Sequence, residues 1–141
     1  MAIKRELGDR QGIANSLNNL GESTFDLGDY PAAWALYEES LAIRRALGDQ
    51  RGIADSLQNL ARVAFPLRGP DQAARIWGGM ERLRKEFGTP LAPSAQPGYD
   101  RHVAAARAAL GDEAAFDLAW QEGHAMTLEQ VIEYALQKRD V

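Results

Sequence analysis

The feature that most constrains this chain is a stretch that occurs twice. Ala2-Ile3-Lys4-Arg5-Glu6-Leu7-Gly8-Asp9 returns as Ala42-Ile43-Arg44-Arg45-Ala46-Leu47-Gly48-Asp49. Gly12-Ile13-Ala14-Asn15-Ser16-Leu17-Asn18-Asn19-Leu20 returns as Gly52-Ile53-Ala54-Asp55-Ser56-Leu57-Gln58-Asn59-Leu60. Between residues 2–20 and 42–60, 13 of 19 positions are identical at a spacing of 40. A fixed period of that size marks stacked supersecondary units, each burying its apolar face against the next copy. The chain is therefore expected to be a short array of such units.

The unit is helical. Leu-Gly-Asp occurs at residues 7–9, 27–29, 47–49 and 110–112. Leucine supplies a last apolar contact, glycine tolerates the left-handed backbone that ends a helix, and aspartate caps the free amides of the next one. The spacing predicts antiparallel helix pairs over 10–27 with 30–47, and 50–65 with 70–87. Residues 1–8 match only the end of a preceding second helix. Ile13, Leu17, Leu20 and Thr24 form one stripe at three- and four-residue spacing. Ala33, Leu36, Tyr37, Leu41 and Ile43 form the facing one. Pro31 and Pro70 fit a first helical turn, and Pro66-Leu67-Arg68-Gly69-Pro70 reads as a turn. Residues 88–98 hold Pro90, Pro93 and Pro97, and are read as a connector that no helix crosses. Helices are expected at 99–110, 113–122 and 128–138. The last opens on a capping box, Thr127 with Gln130, and a staple of Met126 with Val131. The fold class is all-α, with residues 1–87 as repeats and 99–141 as a C-terminal helical cap packed on them.

Composition narrows the function. There is no cysteine, which excludes disulfides, thiol catalysis and thiolate metal sites. No apolar run approaches the ~20 residues of a membrane helix, and the first residues lack the apolar core of a signal peptide. The expected location is cytoplasmic, with no membrane partner. Residues 1–87 carry 12 Lys/Arg and 12 Asp/Glu, whereas 88–141 carry 4 and 8. No clustered basic footprint marks a nucleic-acid binder. His102 and His124, the two histidines, lack a second ligand at metal spacing. Gly78-Gly79 lacks the lysine of a phosphate loop and suits close helix packing. Ser16 and Ser56 have no paired base. The expectation is no catalytic residue, no metal and no cofactor.

The repeat resembles the tetratricopeptide repeat, whose pattern is Trp-x2-Leu-Gly-x2-Tyr followed by Ala-x3-Phe. This chain reads Leu17-x2-Leu20-Gly21-x2-Thr24 and Ala33-x3-Tyr37, then Leu57-x2-Leu60-Ala61-x2-Ala64 and Ala73-x3-Trp77. The resemblance implies a short right-handed superhelix that binds a protein or peptide partner. Residues from Ala74-Arg75-Ile76-Trp77-Gly78 through Ala119-Trp120-Gln121-Glu122-Gly123-His124 to Gln130 are similar to the C-terminus of large bacterial LuxR-type and SARP-type regulators. That likeness implies the final piece of a signalling protein, begun in mid-repeat.

Two surfaces are candidates. In tetratricopeptide stacks the first helix of each pair lines a concave groove. Opposite the packed stripe of residues 10–27 lie Asn15, Asn18, Asn19 and Glu22. Their counterparts in the second pair are Asp55, Gln58, Asn59 and Arg62. Asn19 and Asn59 match at the period and are expected to form an amide ladder for a peptide backbone. The other surface is the N-terminal face, where Ile3, Leu7, Ile13 and Leu17 lack a neighbouring repeat; there a homodimer is expected. The alternatives to peptide binding are a small-ligand sensor and a purely structural self-association module.

Overall fold

The computed structural model describes the backbone of residues 2–136 and the side chains of residues 9–136. Among the described residues there are seven helices and no strand: α1 (Ala2–Asp26), α2 (Tyr30–Leu47), α3 (Gln50–Arg68), α4 (Pro70–Phe87), α5 (Gln96–Leu110), α6 (Glu113–His124) and α7 (Leu128–Leu136). Helices α1 to α4 pack in sequence as two antiparallel pairs. The core runs through Tyr37, Leu41, Leu57, Leu60, Ile76, Trp77 and Met80, and continues to Phe116, Val131 and Ile132.

The Leu-Gly-Asp turns work by the chemistry of their residues. Gly48 has φ +69° and donates to the Arg45 carbonyl; Asp49 accepts from the Gly52 amide at 3.0 Å. Asp29 and Asp112 cap α2 and α6 in the same way, accepting from Ala32 and Ala115. The copy at residues 7–9 behaves differently: α1 runs through it unbroken. A turn of this kind is held by the two helices it joins. The helix continues through Gly8 at a cost of about 1 kcal/mol.

Two more boundaries differ from the sequence reading. Helix α3 carries Pro66 inside it and ends at Arg68. A proline this close to the end forfeits one bond, and the Gly69 amide closes the last turn on Ala64 and Phe65. Helix α5 begins inside the Pro/Gly connector, at Gln96, with Pro97 in its first turn, where a missing amide costs nothing. The cap of α7 is reciprocal: the Gln130 amide donates to Thr127 Oγ1 at 3.2 Å, and the Thr127 amide donates to Gln130 Oε1 at 2.9 Å.

Helix α6 lies on α4 at backbone contact. A methyl group on Gly78 would overlap the Trp120 carbonyl, and one on Gly123 would overlap the Arg75 carbonyl. A methyl on Gly79 would sit 2.6 Å from Val131 Cγ2 of α7. Glycine at these positions lets the two helices meet without intervening side chains.

Candidate functional site

Arginine spacing organises the site. Arg44 and Arg84 stand 40 residues apart on α2 and α4, one per repeat. Arg44 Nη1 donates to the Gly52 carbonyl at 3.0 Å and Ser56 Oγ at 2.8 Å, and its Nη2 donates to Asn15 Oδ1 at 3.1 Å. It joins α2 to both first helices. Arg84 Nη2 donates to Gln58 Oε1 at 3.0 Å, and its Nη1 to the Thr89 carbonyl at 3.3 Å. It joins α4 to α3 and to the start of the connector.

Between these elements lies a cleft of about 410 Å³. Asn18 of α1 and Asp55, Gln58, Asn59 and Arg62 of α3 form one wall. The other is Leu91, Ala95, Gly98, Tyr99 and His102, from the connector and α5. Arg44, Arg84 and Trp77 complete it, and the Tyr99 ring meets Trp77 edge-on at 6.2 Å. Burial, and then the charge of Glu81, pushes the Tyr99 hydroxyl well above its usual range, so it stays protonated.

Five of the eight groove residues named from the sequence line this cleft: Asn18, Asp55, Gln58, Asn59 and Arg62. Asn15 is tied to Arg44, while Asn19 and Glu22 are exposed and not part of the lining. The amide pair is Asn59 with Asn18, not Asn19: Asn59 Nδ2 donates to Asn18 Oδ1 at 2.8 Å. A step of one residue turns a helix by 100°, so neighbouring helices set side by side select one asparagine of the two. This bond leaves the Asn18 NH2 group and the Asn59 carbonyl oxygen uncommitted by it.

Arg44, Arg84, Tyr99 and His102 were not among the groove residues read from sequence. The recurrence of Arg44 and Arg84 at the period was the available signal for the first two. Tyr99 and His102 arrive from outside the repeats and carry none. Charge in the cleft is lopsided, with three arginines against the single carboxylate of Asp55. Partial burial, then Arg62 and Arg101, hold His102 below its ordinary value. Burial likewise lowers Arg84, opposed by Asp55.

The second surface is on α1. Ile13 and Leu20 are 51% and 56% exposed, whereas their period partners Ile53 and Leu60 are 4% and 0%. Leu17 is half-buried beside them. Ile3 and Leu7, assigned to the same surface from the sequence, have side chains outside the described residues.

Among the described residues no helix is long and apolar enough to cross a membrane. No group of three His, Asp or Glu side chains among them could hold a metal ion. No curated protein and no solved structure matches this chain. Residues 12–77, a little under half of the 141, match the family model described as tetratricopeptide repeat, and this match, on a fold built wholly of helices among the described residues, supports a tetratricopeptide-repeat protein.

Proposed function

We propose that this chain is a non-enzymatic protein- or peptide-binding module whose groove is the cleft between α1, α3 and α5. Tetratricopeptide repeats generally mediate protein–protein interaction. The observation that carries the reading is the Asn18–Asn59 pair, flanked by Gln58 and Arg62, along the wall of a cleft. Side-chain amides offer a donor and an acceptor together, as an extended peptide backbone requires. Selection of a displayed random-peptide library on the full chain should yield binders. Asn18→Ala/Asn59→Ala should weaken them roughly thirtyfold, at ~1 kcal/mol for each of the two amides lost. Binders that hold the variant as tightly as the parent overturn the reading. The likeness of residues 74–130 to bacterial regulators supports a finer assignment, to a cytoplasmic signalling or transcriptional regulator.

A second reading rests on the exposed Ile13 and Leu20. The repeat buries this stripe at α3 and leaves it open at α1, and a second copy of the chain is the proposed cover. A contiguous apolar patch of ~400 Å² is large enough to mark an interaction site. At ~25 cal/mol per Å² its burial contributes roughly 10 kcal/mol before association costs. Light scattering over a micromolar concentration series should show the mass rising from 15.5 kDa toward twice that value. Ile13→Glu/Leu20→Glu should abolish the rise. A constant monomer mass contradicts the dimer.

A further inference from the structure

We infer that the open stripe of α1 is a socket for residues 2–8 of a second copy of this chain, with Lys4 of that copy as the side chain that keys it. This deepens the dimer reading and rests on it for the association itself. What it adds is the segment that fills the socket, its register, and the residue the partner contributes.

The first observation is that the second repeat holds the same socket filled. Gly52, Ile53, Ser56, Leu57 and Leu60 of α3 are all buried. Their counterparts one period earlier, Gly12, Ile13, Ser16 and Leu20, are exposed, and Leu17 is half-buried. These residues, with Asp9, line one open groove along α1. The contrast is confined to this face. Ala14 and Ala54 are both buried, and Ser40 of α2 donates to the Ala14 carbonyl at 2.8 Å. Helix α1 packs on α2 as α3 packs on α4, and the further neighbour that α3 has is α2. The end of α2 carries the key. Arg44 Nη1 donates to the Gly52 carbonyl and to Ser56 Oγ, and its stem packs over Gly52. Gly12 and Ser16 present the same carbonyl and hydroxyl on α1.

The second observation is that the chain carries the covering segment twice. Residues 42–49 and residues 2–9 differ at two positions, Arg44 against Lys4 and Ala46 against Glu6. Lysine keeps a cationic donor at the keying position. Ala46 is exposed, so a glutamate at its counterpart leaves the packed face unchanged. A segment whose near-copy already covers this stripe in the second repeat is matched in shape and polarity to the stripe of the first.

The third observation is the joint. In Leu47-Gly48-Asp49 the glycine takes φ +69° and the chain turns back. In Leu7-Gly8-Asp9 the same three residues are helical and α1 runs straight on, which carries residues 2–8 away from their own stripe. A joint that forms a turn in one place and a helix in another is what exchange of an element between copies requires. The register follows from the second repeat. Arg44 serves residues 52 and 56, so residue 4 of one copy meets residues 12 and 16 of the other. That register is symmetric about residue 9. Two α1 helices lying antiparallel about a two-fold axis near it fill both sockets at once, a closed arrangement.

Crosslinking tests the register. The chain has no cysteine, so an introduced thiol is unique. The Lys4→Cys and Ser16→Cys chains, each full length, are mixed, allowed to exchange and treated with a short bismaleimide. Crosslinks between the two different chains are expected, and none within the Ser16→Cys chain alone, because exchange holds the two Ser16 positions far apart. Lys4→Glu should weaken association about tenfold by light scattering. Lys4→Arg, which restores the residue found at position 44, should associate at least as tightly as the parent. A dimer that crosslinks Ser16 to Ser16 and not Lys4 to Ser16 joins its stripes face to face; that result overturns the exchange and leaves the dimer standing. A dimer indifferent to Lys4→Glu overturns it too. A constant monomer mass with no crosslink overturns both.

Discussion

Gly123→Ala should lower the melting temperature by roughly 10 °C, from a loss of ~3 kcal/mol. The sign is the informative part. In an open helix interior the same change stabilises by ~1 kcal/mol, because alanine is the better helix former. Here the added methyl meets the carbonyl of Arg75, which is backbone and has no rotamer to escape into. Gly78→Ala meets the Trp120 carbonyl from the opposite helix and should act alike. To admit either methyl, α6 must lift from α4, and Phe116, Val131 and Ile132, all 0% exposed, lift with it. Gly12→Ala is the control. Nothing lies within 4 Å of the added group, so that variant should melt no lower than the parent. A Gly123→Ala protein that melts as the parent does would show that α6 is not held at backbone contact.

Arg44→Ala should cost about 2–4 kcal/mol, or roughly 10 °C in melting temperature. Arg44 is 8% exposed, and its donors serve Gly52, Ser56 and Asn15 on two different helices. Removal leaves the fully buried Ser56 hydroxyl without the donor it meets now. Its aliphatic stem also packs on Gly52, where an added methyl would sit 2.8 Å from Arg44 Cδ, so the change removes packing as well as charge. The neighbouring Arg45 gives the comparison. It pairs with Glu129 on the exposed side of the helix, and Arg45→Ala should cost less than ~1 kcal/mol. Thermal unfolding of the two variants side by side measures the difference. Equal, small losses would remove Arg44 as the joint between the repeats.

The repeat made much of this fold readable. Asp29, Asp49 and Asp112 cap where their short-range chemistry says they should, and Thr127 with Gln130 closes the box that its spacing specifies. The glycines at 78 and 79 signalled close packing because a helix keeps such residues only where something must approach. Leu7-Gly8-Asp9 is not a turn, because α1 runs through it and a local capping signal is weak against a continuous helix. Pro66 misled for a related reason: near a C-terminus its cost is one bond, and the packing of α3 on α4 outweighs it.

The groove was half legible. Helical periodicity separates the packed face from the open one, so it found Asn18, Gln58, Asn59 and Arg62. It does not resolve which of two adjacent asparagines meets a neighbouring helix, because that depends on the axial offset of α1 against α3. Arg44 and Arg84 sit on second helices, which the groove rule passes over, although their spacing of 40 was in plain view. Tyr99 and His102 reach the site on α5, which packs on α4 and α6 from outside the repeats. That is a tertiary consequence with no local pattern.

The measurement that bears most directly on the central claim is amide hydrogen exchange of the full chain, with and without a peptide selected from the library. Protection on binding should appear in α1 around Asn18, in α3 from Asp55 to Arg62, and in the first turns of α5 around Tyr99 and His102. Protection confined to the Ile13, Leu17 and Leu20 face, or absent from all three segments, would contradict the assignment of this cleft as the binding groove.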